Sequence, residues 1–161
     1  MAASAGESEG YIDLPKLIKL LKKPERPFTI RLTCIAADGF IDSADELENL
    51  LAFAADNGIE QVSLTPVSKP FDSQDTEAFA WVGEHHLKDD QRANIEAFLK
   101  AHGQVVRVLP HGATVYDVGG QNLNWSNCLT RDQKSDAIRS LIFFPDGHAR
   151  TNWDLAGSVL F

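Results

Sequence analysis

Between residues 27 and 67 the apolar positions change period twice. Ile30, Leu32 and Cys34 alternate with Thr29, Arg31 and Thr33, then Leu47, Leu50, Leu51 and Ala54 recur at helical spacing, and residues 59–67 alternate again. Period two marks a half-buried strand and a 3.6-residue period one face of a helix. Ser43, with Glu46 three residues on, forms a capping-box start, and Asn57-Gly58 a stop. Strand, helix and strand within about forty residues predict a βαβ unit with parallel strands and a right-handed crossover.

The same signals extend in both directions. Residues 1–10 are small, polar and acidic and predict a flexible tail. Asp13 caps a short helix over Leu14, Leu17, Ile18, Leu20 and Leu21, ended by Pro24 and Pro27. Beyond residue 67, Asp75 or Ser73 starts a helix with Phe79, Trp81 and Val82, interrupted at Gly83. Asp89 or Asp90 starts another over Ala93, Ile95, Phe98 and Leu99. The run QVVRVLP predicts a third parallel-type strand, so the order to about residue 112 is that of an α/β sheet or barrel. Residues 113–161 read differently. Thr114 to Val118 predicts one short strand, the Gly- and Asn-rich stretch after it a loop, and the runs about Pro145-Asp146-Gly147 a β-hairpin. Residues 11–161 therefore form a single α/β domain, with no repeat and no shift in composition.

Composition narrows the classes. With 161 residues, 43% of them hydrophobic, the chain can bury a core. A formal net charge of −8 argues against a phosphate-backbone binder, so no nucleic-acid partner is expected. No apolar run reaches the roughly 18 residues of a membrane-spanning helix, and no membrane partner is expected. MAASAGESEG lacks the basic and apolar regions of a signal peptide, and two cysteines make no disulfide framework, so the expected compartment is the cytoplasm.

Parallel α/β sheets place ligands at the carboxyl ends of their strands. Those ends carry Thr33-Cys34, Thr65-Pro66 and Pro110-His111. Arg31, Thr33, Ser63, Thr65 and Arg107 make the alternating polar set on the three strands, which is a solvent face in an open sheet and a lumen in a barrel. No phosphate-loop, dinucleotide or nucleophile-elbow motif occurs. His85 and His86 are adjacent and point about 100° apart on a helix, so they do not share a metal, and no metal site is expected. His111, after a strand-ending proline, is the better functional histidine. Paired with Asp117 it offers a cofactor-free acid–base site as a third, weaker reading. Both cysteines read as small buried thiols.

The run YIDLPKLIKLL followed by PFTIRLTCIAADGFIDSADELENLLAFAADNGIEQVSLTPV resembles the later half of a radical S-adenosylmethionine enzyme barrel. The tail NCLTRD with AIRSLIFFPDGHARTNWDL is similar to the hairpin that closes such barrels in the molybdenum-cofactor branch. The resemblance implies a partial (βα) barrel-type parallel sheet with a C-terminal β-hairpin extension and a radical-type oxidoreductase function. It places Arg31 and Thr33 against the methionine or ribose part of S-adenosylmethionine, and Ser63 and Thr65 near the adenine and the substrate. His111, Asn127 and Cys128 fall on the substrate side. The family binds its [4Fe–4S] cluster through CxxxCxxC near the barrel's start, and this chain has no such motif. The cluster is thus expected only if an N-terminal segment supplies the cysteines. The chain then reads as a fragment or split C-terminal half, inactive alone, whose partner is the missing barrel half or a second copy and whose substrate is a small molecule or peptide. The alternative is a non-catalytic, cluster-less α/β binding or interaction domain.

Overall fold

A computed structural model describes residues 12–67, 75–109, 112–126 and 141–150. Four helices and a five-stranded mixed sheet make up an α/β fold. In chain order the elements are α1 (Leu14–Leu21), β1 (Arg31–Ala36), α2 (Ala44–Asp56), β2 (Gln61–Pro66), α3 (Thr76–His85), α4 (Asp89–His102), β3 (Gly103–Val108), β4 (Thr114–Val118) and β5 (Gln121–Trp125). The expected caps of α1, α2 and α3 are in place, though Ser43 makes only its own half of the expected capping box. α4 is capped by Lys88, whose N–H donates to Gln91 Oε1 at 2.9 Å. Asp13 accepts the Lys16 N–H at 3.0 Å, Ser43 that of Glu46 at 3.3 Å and Asp75 that of Ala78 at 2.9 Å. Gly58, at φ +64°, turns the chain out of α2. Gly83 does not interrupt α3, which runs through it to His85.

β1 and β2 pair in parallel, from Arg31 with Gln61 to Ala36 with Pro66, as the βαβ reading requires. The sheet then departs from a repeated βα series. Its order is β1-β2-β5-β4-β3, with β5 parallel to β2 and the β5–β4 and β4–β3 pairs antiparallel. β3 points the same way as β1 and β2, but it lies at the far edge. A hairpin has been inserted between it and the βαβ unit. The stretch expected to be loop after Val118 is in fact the central strand β5. Gly119 and Gly120, at φ +61° and +90°, form the two-residue turn that reverses β4 into it. Both residues of such a turn need positive φ, which glycine takes without steric cost. The sheet closes into no barrel among the described residues.

One face of the sheet carries the core. Leu32, Val62, Leu123 and Tyr116 lie in one cross-strand row, and Cys34, Leu64, Trp125 and Thr114 in the next. Against them pack Ile18 of α1, Leu47, Leu51 and Ala54 of α2, and Ile95 and Leu99 of α4, all buried. Every strand residue of that cluster belongs to this face, so α1, α2 and α4 cover one side of the sheet. At the sheet's amino end Glu60 ties three segments together, accepting from Lys22 Nζ and from the Ile30 N–H, each at 2.7 Å. Those two donors, Lys22 first, hold the Glu60 carboxyl below its usual range. Further along, Ile142–Phe143 pairs with Ala149–Arg150 about the turn at Gly147, a ladder of two residues on each side. Residues 138–140 and 151–155 of those two runs lie outside the described residues.

Candidate functional site

The other face of the sheet is polar across its width. Strand alternation and register set Arg31, Gln61, Asn122, Asp117 and Gln104 in one row, and Thr33, Ser63, Asn124, Val115 and Arg107 in the next. Ile35 and Thr65 follow at the carboxyl end. Arg31, Thr33, Ser63 and Thr65, singled out from alternation alone, thus share one face on neighbouring parallel strands. His111, Asn127 and Cys128 lie outside the described residues. Asp117 is engaged in its own turn, its Oδ1 accepting the Gly120 N–H at 2.7 Å.

Within the rows the side chains pair across strands. Arg31 donates through Nε and Nη2 to Gln61 Oε1, at 2.9 and 2.6 Å. Asn124 Nδ2 donates to the hydroxyl of Ser63 at 3.3 Å, and Ser63 is only 8% exposed. The other end of that amide, Asn124 Oδ1, is shut off from solvent and has no hydrogen-bond partner. Exchanging the amide's oxygen and nitrogen would orphan the nitrogen instead, so one polar atom is left over in either orientation. An orphaned buried polar atom costs about 1–3 kcal/mol.

Gln61, Asn122 and Asn124 join the set only through the sheet. The alternation Gln121-Asn122-Leu123-Asn124-Trp125 behind a Gly-Gly pair was the local signal for β5. Nothing local says that β5 enters between β2 and β4 and brings Asn124 beside Ser63.

At the carboxyl end of β1 the loop 37–42 is fixed by its neighbours. Asp38 pairs with Lys88 Nζ at 2.7 Å and accepts from Gln91 Nε2 at 2.7 Å, and its N–H donates to the carbonyl of His85 at 2.9 Å. Lys88, then Gln91, hold the Asp38 carboxyl below its ordinary range, and Asp38 in turn raises the Lys88 ammonium. Gly39, at φ +82°, donates to Asp42 Oδ2 at 2.8 Å. His85 stacks on Trp81 with ring centres 4.4 Å apart. Its Nδ1 lies 2.9 Å from the Trp81 carbonyl oxygen. A carbonyl only accepts, so this nitrogen carries the proton. His86 makes the same kind of contact with a different carbonyl, that of Gly83, at 3.0 Å. Each imidazole is thus oriented by its own helix.

Among the described residues no three His, Cys, Asp or Glu side chains form a metal-holding group, and no helix is long and apolar enough to cross a membrane. Cys34 lies on the helix-covered face, where burial pushes its thiol upward from its ordinary pKa. Two cysteines in the whole chain do not make up the three of the family's cluster motif, so this chain alone does not fit a [4Fe–4S] cluster. Comparison with protein-family models, curated proteins and solved structures finds no match to this chain.

Proposed function

We propose that the chain is the later half of a radical S-adenosylmethionine-type barrel, supplying the strands that line the cofactor and substrate and inactive on its own. The observation that supports this reading is the polar face of the adjacent parallel strands β1, β2 and β5, with α1, α2 and α4 all packed on the opposite side. In a barrel whose interior holds a polar ligand, a face of that kind is the one its strands would turn inward. Arg31 and Thr33 would hold the methionine or ribose part of S-adenosylmethionine. Ser63 and Thr65 would meet its adenine and the substrate. When bound with a cluster, that cofactor supplies radical chemistry. The residues of this chain bind and orient, and the cluster comes from a separate N-terminal segment.

A second reading, a cluster-less ligand-binding domain, draws on the core. Leu47, Leu64, Ile95, Leu99 and Leu123 are fully buried within the described residues, so the two-layer unit has a core of its own.

Titration of the ¹⁵N-labelled chain with S-adenosylmethionine tests the first. Amide shifts are expected to cluster at Arg31, Thr33, Ser63, Thr65 and Asn124, and Thr33→Val is expected to weaken binding several-fold. An unchanged spectrum at millimolar ligand, or equal affinity in Thr33→Val, would remove these residues from a cofactor site.

A further inference from the structure

The two edges of the sheet are built differently. β3 at one edge carries a register shift between Val105 and Arg107. A bulge of this kind twists an edge away from further pairing. β1 at the other edge keeps an unbroken register with β2 over all six of its residues. The Gln61 N–H donates to the Ile30 carbonyl at 3.2 Å and the Val67 N–H to that of Ala36 at 2.8 Å. In a parallel ladder the bonds to one neighbour alternate along the strand. The even-numbered residues of β1 therefore bond to β2, and the N–H and C=O groups of Arg31, Thr33 and Ile35 point to the other side, which is open among the described residues.

Three further features bear on what fills that side. The stretch 27–37 contains no acid and one charge, Arg31, in a chain whose net charge is −8. The guanidinium of Arg31 is turned across the sheet to Gln61, not along the rim. Phe28, Ile35 and Phe40 beside the edge leave half or more of their surface in solvent.

We propose that the isolated chain dimerises by antiparallel pairing of β1 with β1 of a second copy about a two-fold axis at Thr33. The register is self-complementary. Thr33 faces its own counterpart, and Arg31 and Ile35 face each other twice, so every outward backbone group of the three residues finds a partner. Thr–Thr is a favourable cross-strand pair, and Ile35 covers the stem of the opposing Arg31. An isologous contact of this kind closes after two copies and builds no fibre. With one strand from each side it belongs to the small, reversible class of interfaces. The inference stands on the edge and not on cofactor binding, so a failed S-adenosylmethionine titration leaves it untouched. The strand that would precede β1 in a complete barrel competes for the same groups.

Sedimentation velocity from about 10 μM to about 1 mM spans the range expected of such a contact. The weight-average mass should rise toward twice the monomer. Amide exchange at Arg31, Thr33 and Ile35 should slow at least tenfold over that range, while Leu32 and Cys34 stay protected throughout. Ile35→Pro removes an outward N–H without breaking a bond to β2, and Ile35→Lys places a charge on the rim. Both should remain monomeric at 1 mM with an unchanged far-ultraviolet spectrum. If the proline variant misfolds, the lysine variant decides. A chain that stays monomeric at 1 mM overturns the proposal. So does a dimer that survives Ile35→Lys, or one whose three outward amides exchange freely.

Discussion

Asn124 and Ser63 meet on the face of the sheet opposite α1, α2 and α4, and one atom of the asparagine amide has nothing to bond to. Removing one member of such a pair and removing both have different consequences. Ser63→Ala alone leaves the whole amide without a partner and is expected to cost about 1–3 kcal/mol. In Ser63→Ala/Asn124→Leu no orphan remains, and stability should return to the parent value or exceed it by about 1 kcal/mol. Urea midpoints of the three proteins check this. A double variant as unstable as the single one would show that the amide is satisfied in solution. At this scale the sequence was half legible. Arg31, Thr33, Ser63 and Thr65 could be grouped because alternation within a strand is local. Asn124 was lost because its place depends on which strand lies beside β2, and strand order is set by packing far along the chain.

The elements read best where the signal is a cap. Asp13, Ser43 and Asp75 each satisfy a backbone N–H within three residues, and such bonds are written into the chain itself. Gly119-Gly120 is the instructive failure. By composition the pair reads as part of a loop, yet both glycines sit at positive φ and connect the strands that complete the sheet. A turn of this geometry accepts asparagine at its first position better than alanine. Gly119→Asn should therefore leave the thermal midpoint within a degree or two, whereas Gly119→Ala should lower it by the equivalent of about 1 kcal/mol. Equal midpoints would mean that the turn relaxes out of the left-handed region. β3 misled in another way. Its sequence reads as a third parallel-type strand, but it pairs only with the antiparallel β4, because the hairpin of β4 and β5 fills the place beside β2.

The molecule as a whole is acidic, and its depressed carboxylates make it sensitive to acid. Asp38 is held down by Lys88 and Gln91, Glu60 by Lys22 and the Ile30 N–H, and Asp146 by the His148 N–H and side chain. A carboxyl whose folded pKa lies below its unfolded one contributes stability above the unfolded value and loses it as pH falls through the folded one. The unfolded values are 3.8 for Asp and 4.5 for Glu. Stability should thus be flat near neutrality and fall from about pH 4.5 downward. Lys88, raised by Asp38, carries the opposite sign. Its contribution is complete below its unfolded value of 10.5 and disappears above it. Urea midpoints from pH 3 to pH 7 check the acid limb, and Asp38→Asn should make it shallower. An equally steep limb in that variant would assign the acid loss to the other carboxylates.

β5 is the last strand of the five-stranded sheet in chain order, yet it lies at its centre. On the ribosome, where domains emerge amino end first, β2 stays bare on one side until residue 125 has left the exit tunnel. Through all the preceding synthesis the apolar sides of α2 and α4 have only part of a sheet to rest on. A nascent chain paused anywhere before the Gly-Gly turn would present an unfinished core to the chaperones around it. A codon change that slows translation just ahead of that turn would lengthen this exposure without altering a single residue.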